Sequence, residues 1–267
     1  VSEAYFARML GLRFVAVMPR STSAEKIAQI AFYGGESHFV DSPAAMYEES
    51  ARLARELGGH YMDQFTYAER ATDWRGNNNI AESMFGQLAR EPHPVPAWVV
   101  VGAGTGGTSA TIGRYLRYRG LRTRLCAAEP TGSAFVHGWR GRDRTAVCSR
   151  PTVIEGIGRP RVEPGFLFEI VDEVVEVADV ESIAAMQVLE RNLGRRYGGS
   201  SGTNLVACLG LAVRMRARGE RGSIVSLLCD PGERYDATLS NPDWLRRNGL
   251  EPAAAADALR ATIASGR

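Results

Sequence analysis

The 267-residue sequence predicts an α/β protein whose parallel strands alternate with helices. Short apolar runs rich in β-branched residues alternate with longer segments whose apolar residues recur at helical spacing. Glycine-rich turns stand between several of these strands and helices, as they do in βαβ units. The composition is 45% hydrophobic and 23% charged, which is typical of a globular protein with a sizeable core.

The first part of the chain contains a short series of such units. We expect helices at residues 1–10, 23–33 and 43–57, and strands at residues 13–18, 37–40 and 60–62. The polar residues 64–80, with three consecutive asparagines, interrupt this rhythm and predict the crossing between two domains. We therefore expect the remainder of a small domain at residues 1–66 and a large domain at residues 67–267.

The second part of the chain repeats the pattern with longer elements. Strands are expected at residues 98–101, 125–129, 173–177 and 223–229. Helices are expected at residues 80–88, 180–195 and 203–218. Another helix is expected directly after the glycine-rich loop that follows the strand at residues 98–101, and the surface tail from Trp244 onward is also expected to be helical. Residues 130–165 are rich in Gly, Arg and Pro, and no regular element is predicted there.

The stretch from residue 97 to 119 joins a buried strand, a glycine-rich loop and a helix. The glycines can adopt positive φ and let backbone N–H groups turn toward one small concavity. This concavity opens on the N-terminus of the helix, where unpaired N–H groups and the helix dipole favour an anion. The stretch therefore predicts a phosphate-binding loop, to which threonine hydroxyls add donors. Its residues are Gly102, Gly104, Thr105, Gly106, Gly107 and Thr108.

The glycine pattern alone leaves the bound group open. Gly102, Gly104 and Gly107 fit the dinucleotide-binding pattern G-x-G-x-x-G. Glu129 follows at about the offset of a ribose-binding carboxylate, so a nicotinamide-dependent dehydrogenase is one interpretation. A structural turn that binds nothing is another.

Composition and residue spacing argue against several other functions. The net charge of +2 indicates no nucleic-acid partner, and the arginines of residues 114–124 are interpreted as a solvated helix face. The four histidines are too scattered for a helix-borne metal pair, so no metal site is predicted. No apolar stretch reaches the ~18 residues of a membrane span. The four cysteines lack C-x-x-C spacing and are interpreted as buried core thiols of a reducing compartment, which favours the cytoplasm.

Five separated segments stand in the order of one known family. They are QF at Gln64, GTGGT at residues 104–108, EGIG at residues 155–158, GGSSG at residues 198–202 and GERY at residues 232–235. Through these segments, and over the chain to about Leu250, the sequence resembles the cysteine synthase and cystathionine β-synthase family of fold type II pyridoxal-phosphate enzymes. The segments TDWRGNNNIAES and IEGIGRPRVEP are most similar to its cysteine desulfhydrase branch.

The resemblance implies two three-layer α/β/α domains with mostly parallel sheets, of the tryptophan synthase β type, the first of them incomplete. It implies pyridoxal 5'-phosphate as cofactor, its phosphate held by Gly104, Thr105, Gly106, Gly107 and Thr108. Ser200 would face the pyridine nitrogen, Gly156 would lie against the imine edge of the ring, and Gln64 would seat the substrate carboxylate. The alternative for Ser200 is that it caps a helix beginning near Thr203.

The implied activity is β-elimination on L-cysteine, which gives sulfide, pyruvate and ammonia. Cysteine synthase, an O-acetylserine sulfhydrylase that replaces the β-substituent, is the alternative within the family. A non-catalytic, lysine-less paralogue with a binding role is the alternative outside enzymes. The resemblance also implies an amino-acid substrate and a homodimer, and it leaves Arg159, Asp230 and Tyr235 without a role.

The sequence contains a single lysine, Lys26, in a segment expected to be an exposed helix of the small domain. In the family, the cofactor-bearing lysine and the substrate-carboxylate loop lie upstream of the helix with which this sequence begins. A Schiff base needs an amine at the ring, so no catalytic residue is assigned here. We expect an N-terminally truncated fragment that is inactive or nearly so.

Overall fold

The computed structural model describes residues 1–148 and 152–266, in two compact units, Val1–Asp63 and Gln64–Arg267. The strands are β1 (Val15–Pro19), β2 (Glu36–Val40), β3 (Trp98–Val101), β4 (Arg124–Pro130), β5 (Glu173–Val177) and β6 (Ile224–Ser226). The helices are α1 (Ser2–Met9), α2 (Ala24–Phe32), α3 (Ala45–Glu56), α4 (Ile80–Leu88), α5 (Gly107–Tyr118), α6 (Ala134–Gly141), α7 (Asp179–Leu193), α8 (Gly199–Ala217), α9 (Pro242–Arg247) and α10 (Ala253–Ser265). Short 3₁₀ helices lie at Ala68–Arg70, Phe168–Ile170 and Gly232–Tyr235.

The first unit contains one parallel β-α-β crossover. Strands β1 and β2 pair in parallel, with Val15 opposite Glu36, and helix α2 connects them. Ala4, Met18 and Ile30 form its small buried cluster. The two-stranded sheet is half-buried along most of its length, and large apolar side chains of α1 and α2 are exposed, among them Met9 and Phe32.

The second unit is built on a four-stranded parallel sheet with the order β5-β4-β3-β6. Alternate residues of β3 point to opposite faces, and both faces are covered, so all four residues of the strand are buried. Val99 and Val101 pack against α4, α5 and α6 on one face. Trp98 and Val100 pack against α8 on the other. This unit therefore has three α/β/α layers, with α7 and α10 outside α8.

Four elements differ from the sequence-based expectation. The strand expected at residues 223–229 is confined to Ile224–Ser226. Residues 60–62 form no strand and pair with no strand in the described part of the chain, so the prediction there is wrong. Helix α6 was not predicted, because two glycines weaken its pattern; the Ser133 cap and the buried Phe135 and Val136 stabilise it. Helix α8 begins four residues before the predicted start at Thr203.

The early start of α8 has a packing reason. A Cβ on Gly202 would lie 2.1 Å from the carbonyl oxygen of Ser182 in α7, so the glycine lets the two helices approach closely. This tertiary contact outweighs the low helix propensity of the GGSSG segment.

The cysteines are only partly as expected. Cys126 is buried and Cys148 and Cys208 are half-buried, but Cys229 is exposed, so its interpretation as a core thiol is wrong. It follows the short strand β6, where the chain leaves the sheet. None of the helices of residues 1–148 and 152–266 combines the length and the apolar character needed to cross a bilayer.

Candidate active site

The candidate site lies at the carboxyl edge of the four-stranded sheet. From β3 the chain continues to β4 and β5 on one side, whereas β6 adds on the other side. The connections that follow β3 and β6 therefore diverge, and such a switch point is where open parallel sheets bind ligands. The N-termini of α5 and α8 both lie at this edge, because α5 follows β3 and the start of α8 bonds to the loop after β6.

The phosphate-binding loop leaves the first turn of α5 open. Gly106 is the N-cap with φ of +86°, which favours glycine, and it supplies no side-chain cap. A Cβ on Gly106 would lie 2.5 Å from the carbonyl oxygen of Gly165, so the loop is packed tightly from behind. The first turn contains no acidic residue, and Thr108 is exposed. The N–H of Gly107 donates to the Thr105 hydroxyl over a long 3.4 Å, and the remaining N–H groups of this turn can bind an anion.

The EGIG segment packs against the phosphate-binding loop backbone to backbone. The N–H of Gly158 donates to the carbonyl oxygen of Ala103 at 3.0 Å. A Cβ on Gly104 would lie 2.4 Å from the carbonyl oxygen of Gly156, so the loop side of this contact does not tolerate a side chain. Gly156 itself has φ of +87°, and a Cβ there would meet no atom within 4 Å. Open space therefore lies beside Gly156, where a flat group can approach the backbone.

The GGSSG segment forms the first turn of α8. The hydroxyl of Ser201 accepts from the N–H of Cys229 at 2.8 Å, which joins α8 to the loop after β6. Ser200 is only 6% exposed, and its hydroxyl forms no hydrogen bond with residues in the described ranges. The N-cap of α8 is Gly198 and no side chain caps it, so the interpretation of Ser200 as a cap is wrong.

The GERY segment packs against the start of α8. The hydroxyl of Tyr235 donates to Oδ2 of Asp230 at 2.7 Å. Burial, reinforced by the Asp230 carboxylate, raises the pKa of Tyr235. A Cβ on Gly198 would lie 2.7 Å from the Tyr235 ring and 2.4 Å from Oδ1 of Asp230. Asp230 and Tyr235 therefore form a pair at the N-terminus of α8.

The QF segment contacts the other side of the EGIG segment. The Arg159 guanidinium lies 4.2 Å from the centre of the Phe65 ring, and its Nε donates to the buried carboxylate of Glu163 at 3.3 Å. Gln64, the residue before Phe65, is exposed at the start of the second unit. Ile157 of the EGIG segment and Tyr235 of the GERY segment belong to one buried cluster, and the QF segment contacts Arg159, the residue directly after the EGIG segment.

Glu129 has a different place from the one that the dinucleotide pattern suggests. It is fully buried near the end of β4, and Oε1 accepts from the N–H of Ala103 at 2.8 Å. Oε2 accepts from the hydroxyl of Ser133 at 2.8 Å. Burial raises the pKa of Glu129 to about 8. The carboxyl therefore holds the phosphate-binding loop from beneath, and the interpretation of Glu129 as a ribose ligand is wrong.

Sequence reasoning did not find this role of Glu129. The available signal is a single acidic residue at the end of an otherwise apolar buried run, since buried carboxyls need donors.

Lys26 is exposed on α2 in the first unit, as expected, and the sequence of the second unit contains no lysine. No group of three or more His, Cys, Asp or Glu side chains that could hold a metal ion is present in residues 1–148 and 152–266.

A phosphorylated, flat cofactor fits the residues that are present. The open first turn of α5 offers donors to a phosphate, and the space beside Gly156 can accept a planar ring. Ser200 is a buried residue in the first turn of α8, and its hydroxyl has no hydrogen-bond partner among the described residues.

Comparison with known proteins gives the same cofactor class. The model of the family described as pyridoxal-phosphate dependent enzymes matches residues 1–230. The chain is 56% identical over 259 residues to L-cysteine desulfhydrase Cds1 of Mycobacterium tuberculosis. This alignment covers 97% of this chain and 70% of the relative. It is 28% identical to a putative pyridoxal-phosphate dependent protein of Caenorhabditis elegans, covering 92% of this chain and 62% of the relative. It is 30% identical to cysteine synthase 2 of Schizosaccharomyces pombe, covering 73% of this chain and 50% of the relative.

Solved structures show the same fold. An O-ureido-L-serine synthase superposes with a TM-score of 0.68 at 24% identity, over 88% of this chain and 70% of that one. A hydrogen sulfide-producing enzyme superposes with a TM-score of 0.71 at 24% identity, over 88% of this chain and 68% of that one. With the family match over most of its length, the chain belongs to the pyridoxal-phosphate dependent enzymes of fold type II.

Proposed function

We propose that this chain carries the cofactor-binding part of an enzyme that eliminates sulfide from L-cysteine, with pyruvate and ammonia as the other products. The observation that carries the proposal is the 56% identity to an L-cysteine desulfhydrase across 97% of the chain. The open donors of the phosphate-binding loop support the cofactor half of the proposal. The substrate half comes from the activity that the relative's name states.

In this proposal the phosphate of pyridoxal 5'-phosphate is held by the first turn of α5 and the loop before it. The contributing residues are Gly104, Thr105, Gly106, Gly107 and Thr108. The positive end of the α5 dipole offsets part of the phosphate charge. Bound there, the cofactor supplies an electron sink for the bonds at the substrate's α carbon.

Three further residues orient the ring and the substrate. Ser200 hydrogen-bonds to the pyridine nitrogen, and because its hydroxyl is neutral it does not force the ring to be protonated, which favours elimination over transamination. Gly156 lets the backbone lie against the ring edge, and Gln64 seats the substrate carboxylate. The buried position of Ser200, whose hydroxyl has no hydrogen-bond partner in the described part of the chain, and the open space at Gly156 support these roles.

The role of Ser200 is tested by the spectrum of the bound cofactor. In Ser200→Ala the absorbance maximum should shift and the affinity for pyridoxal 5'-phosphate should fall about 10-fold, the equivalent of one lost hydrogen bond. Asp230→Asn is the matched variant, because Asp230 lies at the same helix end and already accepts from Tyr235. If only Asp230→Asn shifts the spectrum, the nitrogen partner is Asp230 and the assignment of Ser200 fails.

We further propose that Lys26 does not link covalently to the cofactor, since it is exposed on α2 and the second unit has no lysine. The 267-residue chain then binds pyridoxal 5'-phosphate reversibly and does not catalyse turnover. Equilibrium dialysis should detect binding, and intact mass spectrometry after borohydride reduction should find no stoichiometric adduct. An adduct mapped to Lys26 would contradict this proposal.

The reaction is tested with protein expressed from the complete coding sequence and supplied with L-cysteine. We expect sulfide and pyruvate in equal amounts. Faster formation of cysteine from O-acetylserine and sulfide would favour cysteine synthase, the activity named for the Schizosaccharomyces pombe relative. A protein that binds the cofactor but turns over neither substrate would favour the non-catalytic paralogue.

We also propose a cytoplasmic homodimer. All four cysteines are free, which is consistent with a reducing compartment. The dimer follows from the family resemblance and is tested by light scattering on protein from the complete coding sequence.

A further inference from the structure

We propose that Glu129 is a positioning residue for the cofactor phosphate, which fixes the phosphate-binding loop to the start of α6 through the hydrogen bonds that its carboxyl accepts from Ala103 and Ser133. This inference rests on the proposed cofactor site and concerns a residue that does not itself touch the cofactor. It starts from the fully buried carboxyl at the carboxyl end of β4, directly below the loop that follows β3.

The carboxyl connects three segments that converge at this edge of the sheet. Oε1 accepts from the N–H of Ala103, which stands between Gly102 and Gly104 of the phosphate-binding loop, at 2.8 Å. Oε2 accepts from the hydroxyl of Ser133, the N-cap of α6, at 2.8 Å. The N–H of Gly158 in the EGIG segment also faces the carboxyl, while it donates to the carbonyl oxygen of Ala103 at 3.0 Å.

The position of Ala103 matters because the loop around it has almost no freedom. A Cβ on Gly102 would lie 2.7 Å from the Ile157 side chain, and a Cβ on Gly104 would lie 2.4 Å from the carbonyl oxygen of Gly156. Small rotations of the loop backbone would therefore either open a gap to the EGIG segment or collide with it. The hydrogen bond from the N–H of Ala103 to Glu129 selects one position of the loop. This position fixes the direction of the N–H groups at the start of α5.

The surroundings of the Glu129 carboxyl favour a hydrogen-bond acceptor without a negative charge. No cationic side chain faces the Glu129 carboxyl among the residues that the structure describes, and burial raises its pKa to about 8. By contrast, Glu163, another fully buried carboxylate of this unit, lies beside Arg159 and Arg161. The inference is therefore that the hydrogen-bonding geometry of Glu129, rather than its negative charge, positions the loop. A glutamine has the same shape and keeps one acceptor oxygen.

The test compares Glu129→Gln, Glu129→Ala and Ser133→Ala in the 267-residue chain. Equilibrium dialysis measures the affinity for pyridoxal 5'-phosphate. We expect Glu129→Gln to stay within about 3-fold of the parent chain, and Glu129→Ala to bind at least about 10-fold more weakly because the N–H of Ala103 loses its acceptor. Ser133→Ala, which frees one side of the carboxyl and also removes the cap of α6, should weaken binding by a smaller factor, about 3-fold.

The matched control is Thr123→Val, at the opposite end of the same strand. The Thr123 hydroxyl is buried and donates to the carbonyl oxygen of Pro96 at 2.7 Å, so its loss removes a comparable buried hydrogen bond far from the phosphate-binding loop. The control should lower the melting temperature without changing the affinity for the cofactor.

A second readout does not depend on the cofactor. Amide hydrogen exchange at Ala103 and Gly158 should be slow in the parent chain and in Glu129→Gln, and faster in Glu129→Ala and Ser133→Ala. Weak binding by the parent chain would overturn the proposed cofactor site, and faster exchange in Glu129→Ala than in the parent chain and Glu129→Gln would then still show that Glu129 fixes the loop. Unchanged affinity in Glu129→Ala, or a Glu129→Gln as weak as Glu129→Ala, would overturn the role of Glu129. If Glu129→Ala does not fold, unchanged affinity and exchange in Ser133→Ala would overturn it equally.

Discussion

The helices around the large sheet begin in two different ways. Helices α4 and α6 are capped by side chains: Asn79 accepts from the N–H groups of Ala81 and Glu82, and Ser133 accepts from that of Phe135. Helices α5 and α8 instead have glycine as N-cap, Gly106 and Gly198, and among the described residues only the Thr105 hydroxyl accepts from the first turn of α5, from the N–H of Gly107 at 3.4 Å. Helix α10 also begins without a side-chain cap, at Pro252, but α5 and α8 are the helices with a glycine N-cap, and their N-termini lie at the switch point of the sheet.

This difference separates residues that stabilise the fold from residues kept for a ligand. A helix with a glycine N-cap forgoes a few tenths of a kcal/mol of stability relative to one capped by serine, asparagine or aspartate. At α5 and α8 the sequence has glycine where serine, asparagine or aspartate would form a cap. The N–H groups left open are those that a phosphate can bind, so the lost stability is recovered when the cofactor is present.

The largest effect on stability is expected at Glu129. Its carboxyl accepts hydrogen bonds from Ser133, the N-cap of α6, and from Ala103, in the loop before α5. The pKa of Glu129 rises from 4.5 to about 8 on folding, so the folded protein holds a proton that the unfolded chain has released in this range. The contribution of the protonated Glu129 carboxyl to the free energy of unfolding is complete below pH 4.5 and is lost as the pH rises through 8. The free energy of unfolding should therefore fall by up to about 1.4 kcal/mol per pH unit, and by at most about 5 kcal/mol in total.

Glutamine cannot titrate, so Glu129→Gln removes this slope. Urea denaturation of the parent chain and the variant at several pH values isolates the effect, since the other titrating groups are shared. The difference between the two free energies should change between pH 5 and 8 and be constant above pH 9. A constant difference over the whole range would show that the carboxyl is ionised throughout.

The next largest effect tests whether the uncapped end of α5 is shaped for a ligand. In Gly104→Ala the new Cβ would lie 2.4 Å from the carbonyl oxygen of Gly156, so the loop must move. Its N–H groups then no longer point toward the phosphate. We expect at least about 100-fold weaker binding of pyridoxal 5'-phosphate, the equivalent of about 3 kcal/mol. Equilibrium dialysis measures this affinity.

Gly86→Ala is the matched control for this variant. Gly86 lies within the capped helix α4, and a Cβ there would meet no atom within 4 Å. The affinity should be unchanged, and the stability should rise by about 0.5–1 kcal/mol. Equal losses of affinity in both variants would remove the distinction between capped and uncapped helices.

The same contrast explains what could be predicted from sequence. The strand Trp98–Val101 and the helix Ile80–Leu88 have the bounds that their patterns predict, because a compact apolar run and an Asn cap are local signals. The pyridoxal-phosphate family was recognised from five short segments and is confirmed by the family match. The placing of residues within the cofactor site stays a prediction.

Features that depend on tertiary contacts could not be predicted. The start of α8 at Gly199 depends on the close approach of Gly202 to Ser182, which no local pattern contains. The role of Glu129 depends on its contact with Ala103, which is 26 residues away in sequence. Helix α6 depends on burial of Phe135 against the core, since its own propensity is low.

The smallest effect concerns a capped helix and should leave the cofactor untouched. In Asn79→Ala the N–H groups of Ala81 and Glu82 lose their acceptor, and the carbonyl oxygens of Asp73 and Gly76 lose a donor. We expect a loss of about 1–2 kcal/mol in the free energy of unfolding, measured by urea denaturation, with unchanged affinity for pyridoxal 5'-phosphate. Asn79→Asp, which keeps the cap acceptor, should recover part of the stability. A fall in affinity that follows the loss of stability would mean that capped helices also shape the site, and the separation drawn between the two kinds of helix start would not hold.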